Sequence, residues 1–101
     1  MPLNILQRIC SDENIDLSAF PGFERLNGIS LRTHDDLRGI AYSPTLDGYG
    51  QTAVIAHELG HHVLGHLDRY SKHTPERKER EAQTFAAVFI AMALVAQYLL
   101  K

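Results

Sequence analysis

Four histidines and one glutamate fall within residues 54–66, which read VIAHELGHHVLGH. His57 and His61 are four residues apart, so on a helix their side chains project within about 40° of each other, one turn apart. Two imidazole nitrogens at that spacing can bind one Zn²⁺ ion. Glu58 points toward the place of a water that such an ion would activate, so it is predicted to be the general base.

A catalytic zinc usually takes three protein ligands, and we expect the third from the helix that follows. The extended pattern with glycine at position 64 and histidine at position 67 is excluded, because Leu64 and Leu67 stand there. Glu81 is favoured because it heads a helical stripe that continues into an apolar face, while Glu79 heads a neighbouring stripe and remains open. Glu76 is nearer the solvated start of the helix. The two stripes are Glu81, Phe85, Val88, Phe89, Met92 and Glu79, Ala82, Ala86, Ile90.

The other two histidines of the segment do not fit the same ion if the helix is straight. His62 lies about 140° around the helix from His57, and His66 about 180° around. We therefore predict a role for His62 in solvent or behind the metal ligands. His66 is expected at the helix end, where a cationic ring suits the helix dipole.

The segments around this pattern predict an α+β fold, a small antiparallel sheet packed on helices in a minimal zincin-like core. Apolar spacing indicates a helix over 2–10, and two strands are predicted at 27–33 and 37–44, joined by an acidic turn. Asp47 is predicted to cap a helix over 48–66. Thr74 and Pro75 then begin a helix that runs to the C-terminus.

Composition limits the classes of function. A length of 101 residues fits a single domain over 1–101, and a net charge of −2 gives no basic field for nucleic acid. Cys10 is the only cysteine, which excludes an internal disulfide and a thiolate zinc cluster. The first residues do not resemble a secretory signal, so the cytoplasm is the expected compartment.

The apolar end of the last helix raises the question of a membrane. Residues 85–100 span about 24 Å as a helix, whereas a bilayer core is about 30 Å thick. We therefore expect this segment to seal the core or to pack against a second copy in a homodimer, and we expect no membrane partner.

Several motifs in order resemble the ImmA/IrrE family of zinc metallopeptidases over residues 28–90. They are G-I-x-x-x-P at 39–44, HELGH at 57–61 and E-A-x-x-F-A at 81–86, where Gln83 stands in place of the family's usual asparagine. The resemblance implies that His57, His61 and Glu81 bind zinc and that Glu58 is the base. It also implies a protein partner, since members from phages, mobile elements or stress responses are thought to cut helix-turn-helix repressors.

The leading hypothesis is a zinc-dependent peptidase whose substrate lies extended beside the second predicted strand, at residues 38–43. Candidate stabilisers of the oxyanion are Tyr42, Tyr49, Tyr70 and His66, and the sequence does not choose among them. One alternative is a non-catalytic zinc-binding module that regulates a partner. Another is a small membrane-associated peptidase anchored by its last helix.

Overall fold

A computed structural model describes residues 2–21, 27–68 and 71–100 of the chain. Its helices and strands follow in the order α1 (Pro2–Asp12), β1 (Ile15–Ala19), β2 (Gly28–Arg32), β3 (Arg38–Tyr42), α2 (Gly48–Val63) and α3 (Pro75–Leu99). This is an α+β architecture, as predicted.

The sheet has three strands in the order β1-β3-β2, with β2 antiparallel and β1 parallel to β3. The antiparallel pair and its acidic turn were predicted, with boundaries that differ by one or two residues. The prediction of an antiparallel sheet was incomplete because it missed β1. The signal for β1 was the alternation of Ile15, Asp16, Leu17 and Ser18 immediately after the first helix.

The position of β3 also changes where a substrate strand could bind. β3 is the central strand, so its two edges already pair with β1 and β2. A peptide therefore cannot add beside residues 38–43, contrary to expectation. Within the described residues β1 and β2 each pair only with β3, so the sheet has two open edges, and the outer edge of β2 is one of them.

The core lies where α1 and the sheet meet α2. Its fully buried larger side chains are Leu6, Cys10, Ile40, Ile55 and Leu59. α2 therefore has one side on the sheet and another on α3. Burial raises the pKa of the Cys10 thiol, which suits a packing role.

Both predicted helix starts are confirmed. Asp47 accepts a hydrogen bond from the Gly50 backbone N–H at 2.8 Å, and Thr74 accepts one from Arg77 at 3.2 Å, with Pro75 at the first helical position. These caps set where α2 and α3 begin.

The end of α2 differs from the prediction, because the helix stops at Val63 rather than His66. Gly65 adopts a left-handed conformation with φ of 72°. The N–H of Gly65 donates to His62 O and the N–H of His66 to His61 O, the two bonds of a Schellman motif. The chain reverses there, which brings His66 back toward His61.

α3 does not seal the core along its whole length. Its buried residues are Ala82, Ala86 and Ala93, while the C-terminal half exposes Val88, Met92, Val95 and Leu99. Within the described residues that half does not seal the core, because α2 has 16 residues and α3 has 25. The other expectation, packing against a second copy, stays a prediction. By length and composition alone α3 could cross a membrane, and 17% of its most apolar window is buried.

Candidate metal centre

The rings of His57 and His61 point to the same place beside α3. Their Nε2 atoms lie 2.9 Å and 3.0 Å from the two carboxylate oxygens of Glu79. The side chains of His57 and His61 are 20% and 10% exposed, whereas that of Glu79 is 63% exposed. The two histidines thus meet one carboxylate at the edge of the molecule, as the helical spacing predicts for the histidine pair.

The carboxylate in this position belongs to Glu79 and not to Glu81, which was favoured from the sequence. Glu81 instead lies against His66 and His73, with its Oε1 atom 2.9 Å from His66 Nε2 and 3.0 Å from His73 Nδ1. Two residues along a helix correspond to a rotation of about 200°, so these two glutamates leave α3 in very different directions.

The physical reason is that the most buried line of α3 is the one headed by Glu79. It continues into the buried Ala82 and Ala86, whereas the stripe headed by Glu81 has the half-buried Phe85 and Phe89 and then the exposed Val88 and Met92. Large apolar residues therefore did not mark the line of α3 that lies closest to α2.

Gly60 makes this close contact possible. A Cβ atom at Gly60 would lie 3.2 Å from Ala82 Cα, 3.3 Å from Ala82 O and 3.1 Å from Phe85 Cδ1. The missing side chain lets α2 and α3 approach closely one residue before His61. Glu79, one turn before Ala82, is thereby held against the histidine pair.

The hydrogen-bond partners of the two rings fit a bound cation. Gln83 Oε1 lies 3.0 Å from His57 Nδ1, and because an amide oxygen only accepts, that nitrogen donates. In the neutral ring Nε2 then has a free lone pair aimed at the carboxylate. Two facing acceptors repel each other unless a metal cation or a proton lies between them, so this arrangement is one that a metal ion can satisfy.

His61 supports the same conclusion. Burial is the largest influence on its pKa and lowers it, which favours the neutral ring that a metal requires. Two imidazole nitrogens and a carboxylate are a donor set that Zn²⁺ accepts. His57, His61 and Glu79 could therefore hold a divalent metal ion.

Glu58 lies beside the pair in a different environment. It is 9% exposed, and its Oε2 atom accepts a hydrogen bond of 2.9 Å from the Ser30 hydroxyl of β2. Burial raises the pKa of Glu58, the Ser30 bond and His57 lower it, and Glu79 raises it. One ligand-capable atom from each of His57, Glu58 and His61 lies within 4.8 Å of the others. Glu58 is thus positioned to exchange a proton at the centre.

β2 must approach α2 closely for this contact to form. A Cβ atom at Gly28 would lie 2.4 Å from Val54 Cγ1 and 3.5 Å from Glu58 Cγ. Ser30, two residues along the same face of the strand, then donates to both the side chain and the backbone oxygen of Glu58. The sheet therefore fixes the predicted base.

His62 and His66 are both buried, in contrast to the expectations for them. His62 donates from Nε2 to the Gly39 backbone oxygen of β3 at 3.0 Å, and burial lowers its pKa. His62 therefore joins α2 to the sheet and is not a solvent-facing residue. His66 lies on the same side as His61, with their Nδ1 atoms 2.9 Å apart, because α2 ends before it.

A cavity of about 730 Å³ opens beside the centre. Its wall includes Gly28 and Ser30 of β2 together with His57, Glu58 and Glu79. The candidate metal centre therefore opens toward β2, an edge strand of the sheet.

The four candidates for oxyanion stabilisation differ in where they lie relative to the cavity. Tyr42 packs against the core and Tyr49 is 82% exposed, and neither lines the cavity. His66 lines the cavity, but its two ring nitrogens already contact His61 and Glu81. Tyr70 lies outside the described residues. Among the described candidates, the geometry favours none for this role.

The residues near the centre that sequence reasoning missed are Ser30 and Gln83, whereas Glu79 was the alternative left open to Glu81. Gln83 was noted only as a departure from the family's asparagine, yet its amide oxygen is the partner of His57. Its spacing of four residues from Glu79 was the available signal, since such residues share a helix face.

One of three comparisons with known proteins identifies a family. Neither the curated proteins nor the solved structures include a match to the chain. One family model, Peptidase_M78, described as the IrrE N-terminal-like domain, matches residues 10–94. The match includes the three strands, α2 and most of α3, and with them every residue of the candidate centre. The chain therefore belongs to the Peptidase_M78 family, the IrrE N-terminal-like domain family of peptidases.

Proposed function

We propose that this protein is a zinc-dependent peptidase that hydrolyses a peptide bond of another protein. The observation that carries the proposal is the convergence of His57 and His61 on Glu79, with Glu58 beside them. Membership of a peptidase family supports the reaction class.

In this proposal His57, His61 and Glu79 hold the zinc ion. The ion would supply Lewis acidity, polarising the scissile carbonyl and making an attacking water more acidic. Glu58 accepts the proton of that water and delivers it to the leaving amine. Burial raises the pKa of Glu58, which makes its carboxylate a stronger base for the first step than an exposed glutamate would be.

The substrate is proposed to bind as an extended strand along the outer edge of β2. Ser43 N–H donates to Asn27 O, and Thr33 N–H donates to Leu37 O, so these residues of the hairpin pair inward. In an antiparallel pair the direction alternates, which turns the backbone groups of Gly28 and Ser30 outward. Both residues line the cavity, so a peptide paired with them would pass the centre.

The proposed partner is a repressor of the helix-turn-helix type in the cytoplasm, in the regulation of a phage or mobile element. This follows from the resemblance in sequence. A net charge of −2 is compatible with a protein substrate and gives no support to direct binding of nucleic acid.

The test is the substitution Glu58→Gln, assayed on a proteome-derived peptide library whose cleavage products are identified by mass spectrometry. The wild-type zinc protein should cut a defined subset of peptides, and the variant should cut at least about 100-fold more slowly because it lacks the base. Zinc binding should be retained, since no ligand has changed. Glu76→Gln, at an exposed position on α3, is the matched control and should behave as wild type.

An opposite result identifies the rival function. If the wild-type protein binds zinc but leaves the library uncut, and Glu58→Gln is indistinguishable from it, a non-catalytic zinc-binding module replaces the peptidase. The cleavage sites found in a positive result would define the sequence preference with which candidate repressors can be compared.

A further inference from the structure

His66 connects the candidate metal centre to a second carboxylate. Its Nδ1 atom lies 2.9 Å from His61 Nδ1, and its Nε2 atom lies 2.9 Å from Glu81 Oε1. The His66 side chain is 1% exposed, so it is shielded from bulk water. Three side chains thus form a continuous path from Glu81 to the metal-facing ring of His61.

The positions of the hydrogens along this path follow from the number of donors and acceptors that each side chain has. A carboxylate only accepts, so His66 Nε2 donates to Glu81. A neutral imidazole has one N–H, which leaves His66 Nδ1 as an acceptor. His61 Nδ1 must then donate to it, and the lone pair of His61 falls on Nε2, the atom that faces Glu79.

We propose that His66 and Glu81 are positioning residues, which fix the tautomer and the orientation of His61 for metal binding. The inference rests on the metal centre proposed above. His61 in isolation could place its hydrogen on either nitrogen, and only one choice leaves Nε2 free. The pair therefore does for His61 what Gln83 does for His57.

These hydrogen positions also exclude a second metal ion at the cluster of His66, His73 and Glu81. His66, His73 and Glu81 are close enough together to hold an ion. An ion on His66 Nε2 would leave the ring hydrogen on Nδ1, which would then donate to His61 Nδ1. The hydrogen of neutral His61 would be forced onto Nε2, and the first centre would be lost.

One further feature favours the first centre over the second. The guanidinium of Arg77 lies 3.6 Å from Glu81 and opposes a cation there. One zinc ion per chain is therefore expected.

Two substitutions at His66 separate its role as an acceptor from its bulk. His66→Phe keeps a ring but removes both nitrogens, and zinc affinity should fall by about 10–100-fold, the usual effect of removing a partner behind a ligand. Asparagine places its amide oxygen near the position of the histidine Nδ1 atom, so His66→Asn should recover most of the affinity. Competition with a chromophoric chelator gives the affinities.

His73→Phe is the matched control. His73 also lies against Glu81, but no contact between it and His61 is found in the described part of the chain. The zinc affinity of the His73→Phe protein should stay within about twofold of wild type. That change is far smaller than the effect of removing a residue that supports a metal ligand. Circular dichroism establishes that each variant is folded.

A direct measurement on the wild-type protein covers the case in which a variant does not fold. Long-range ¹H–¹⁵N NMR distinguishes the two histidine tautomers, and with zinc bound His61 should carry its hydrogen on Nδ1 and His66 on Nε2. The inference is overturned if His66 carries it on Nδ1, or if a folded His66→Phe binds zinc as tightly as wild type. A wild-type protein that binds no zinc overturns the proposed function itself.

Discussion

Among single residues, Glu79 is the one whose carboxylate contacts both histidines of the candidate centre. Each of its carboxylate oxygens faces one histidine nitrogen, although its side chain is 63% exposed. An exposed glutamate is not held there by burial, so its position reflects the chemistry of what it faces. In our account that chemistry is the shared binding of one ion.

The first prediction compares Glu79→Gln with Glu81→Gln. Glu79→Gln removes the charge of a direct ligand, so zinc affinity should fall by more than about 100-fold, beyond the range seen for outer partners. Glu81→Gln keeps an oxygen that can accept from His66, so its loss should be smaller. Chelator competition measures both, with Glu76→Gln as the control.

If Glu81→Gln were the more damaging substitution, the assignment of the third ligand would return to Glu81. Equal and negligible effects of both substitutions would remove the carboxylate from the centre altogether.

The residues that could be predicted from sequence are those whose geometry is fixed within one helical turn. His57, Glu58 and His61 meet this condition, because the period of α2 alone sets their relative directions. The choice between Glu79 and Glu81 depends on which face of α3 contacts α2. That contact is set by Gly60 and alanines, which have no strong hydrophobic pattern.

At the scale of helices and strands, the crossing of α2 over α3 determines the site. A Cβ atom at Gly60 would lie 3.2 Å from Ala82 Cα, so the neighbouring backbone would have to move by a few tenths of an ångström to admit it. The absence of a side chain at Gly60 thus helps to bring His57 and His61 of α2 close to Glu79 of α3.

The second prediction follows from this crossing. Gly60→Ala should push the helices apart and destabilise the metal-free protein by about 1–3 kcal/mol, the usual cost of overpacking. Zinc affinity should fall with it, because Glu79 moves with α3. Urea unfolding and chelator competition measure the two effects.

Gly48→Ala is the matched control, since a Cβ atom there meets nothing within 4 Å. Its stability and zinc affinity should be close to those of wild type. A Gly60→Ala protein as stable and as tight in zinc binding as this control would contradict the role of the close crossing.

Helix starts were predictable at this scale, whereas the end of α2 was not. Asp47 and Thr74 act as caps within three residues of their partners, so local sequence is sufficient. Gly65 predicts a helix end from the sequence, yet the reversal that returns His66 to His61 depends on the left-handed turn itself. A straight helix placed His66 on the wrong side.

At the scale of the whole molecule, the exposed end of α3 requires an explanation. Val88, Met92, Val95 and Leu99 follow one face of the helix and are all more than half exposed. Apolar stripes of this kind mark interaction surfaces. We expect a second copy of the chain to cover this face in a homodimer.

The third prediction tests that dimer by sedimentation. The wild-type protein should sediment as a dimer without detergent, and Met92→Glu, which places a charge in the centre of the stripe, should shift it toward monomer. Lys72→Glu also changes charge but lies at an exposed position before α3, and it should leave the dimer intact. A monomeric wild-type protein, or one that partitions into detergent, would favour the membrane alternative.

The most direct test of zinc binding by His57, His61 and Glu79 is a crystal structure of the zinc-loaded protein, with anomalous diffraction measured at the zinc edge. We predict one peak per chain, about 2.0–2.1 Å from the Nε2 atoms of His57 and His61 and bound by a carboxylate oxygen of Glu79. A peak at His66, His73 and Glu81 instead, or no peak beside the His57 and His61 rings, would contradict the account.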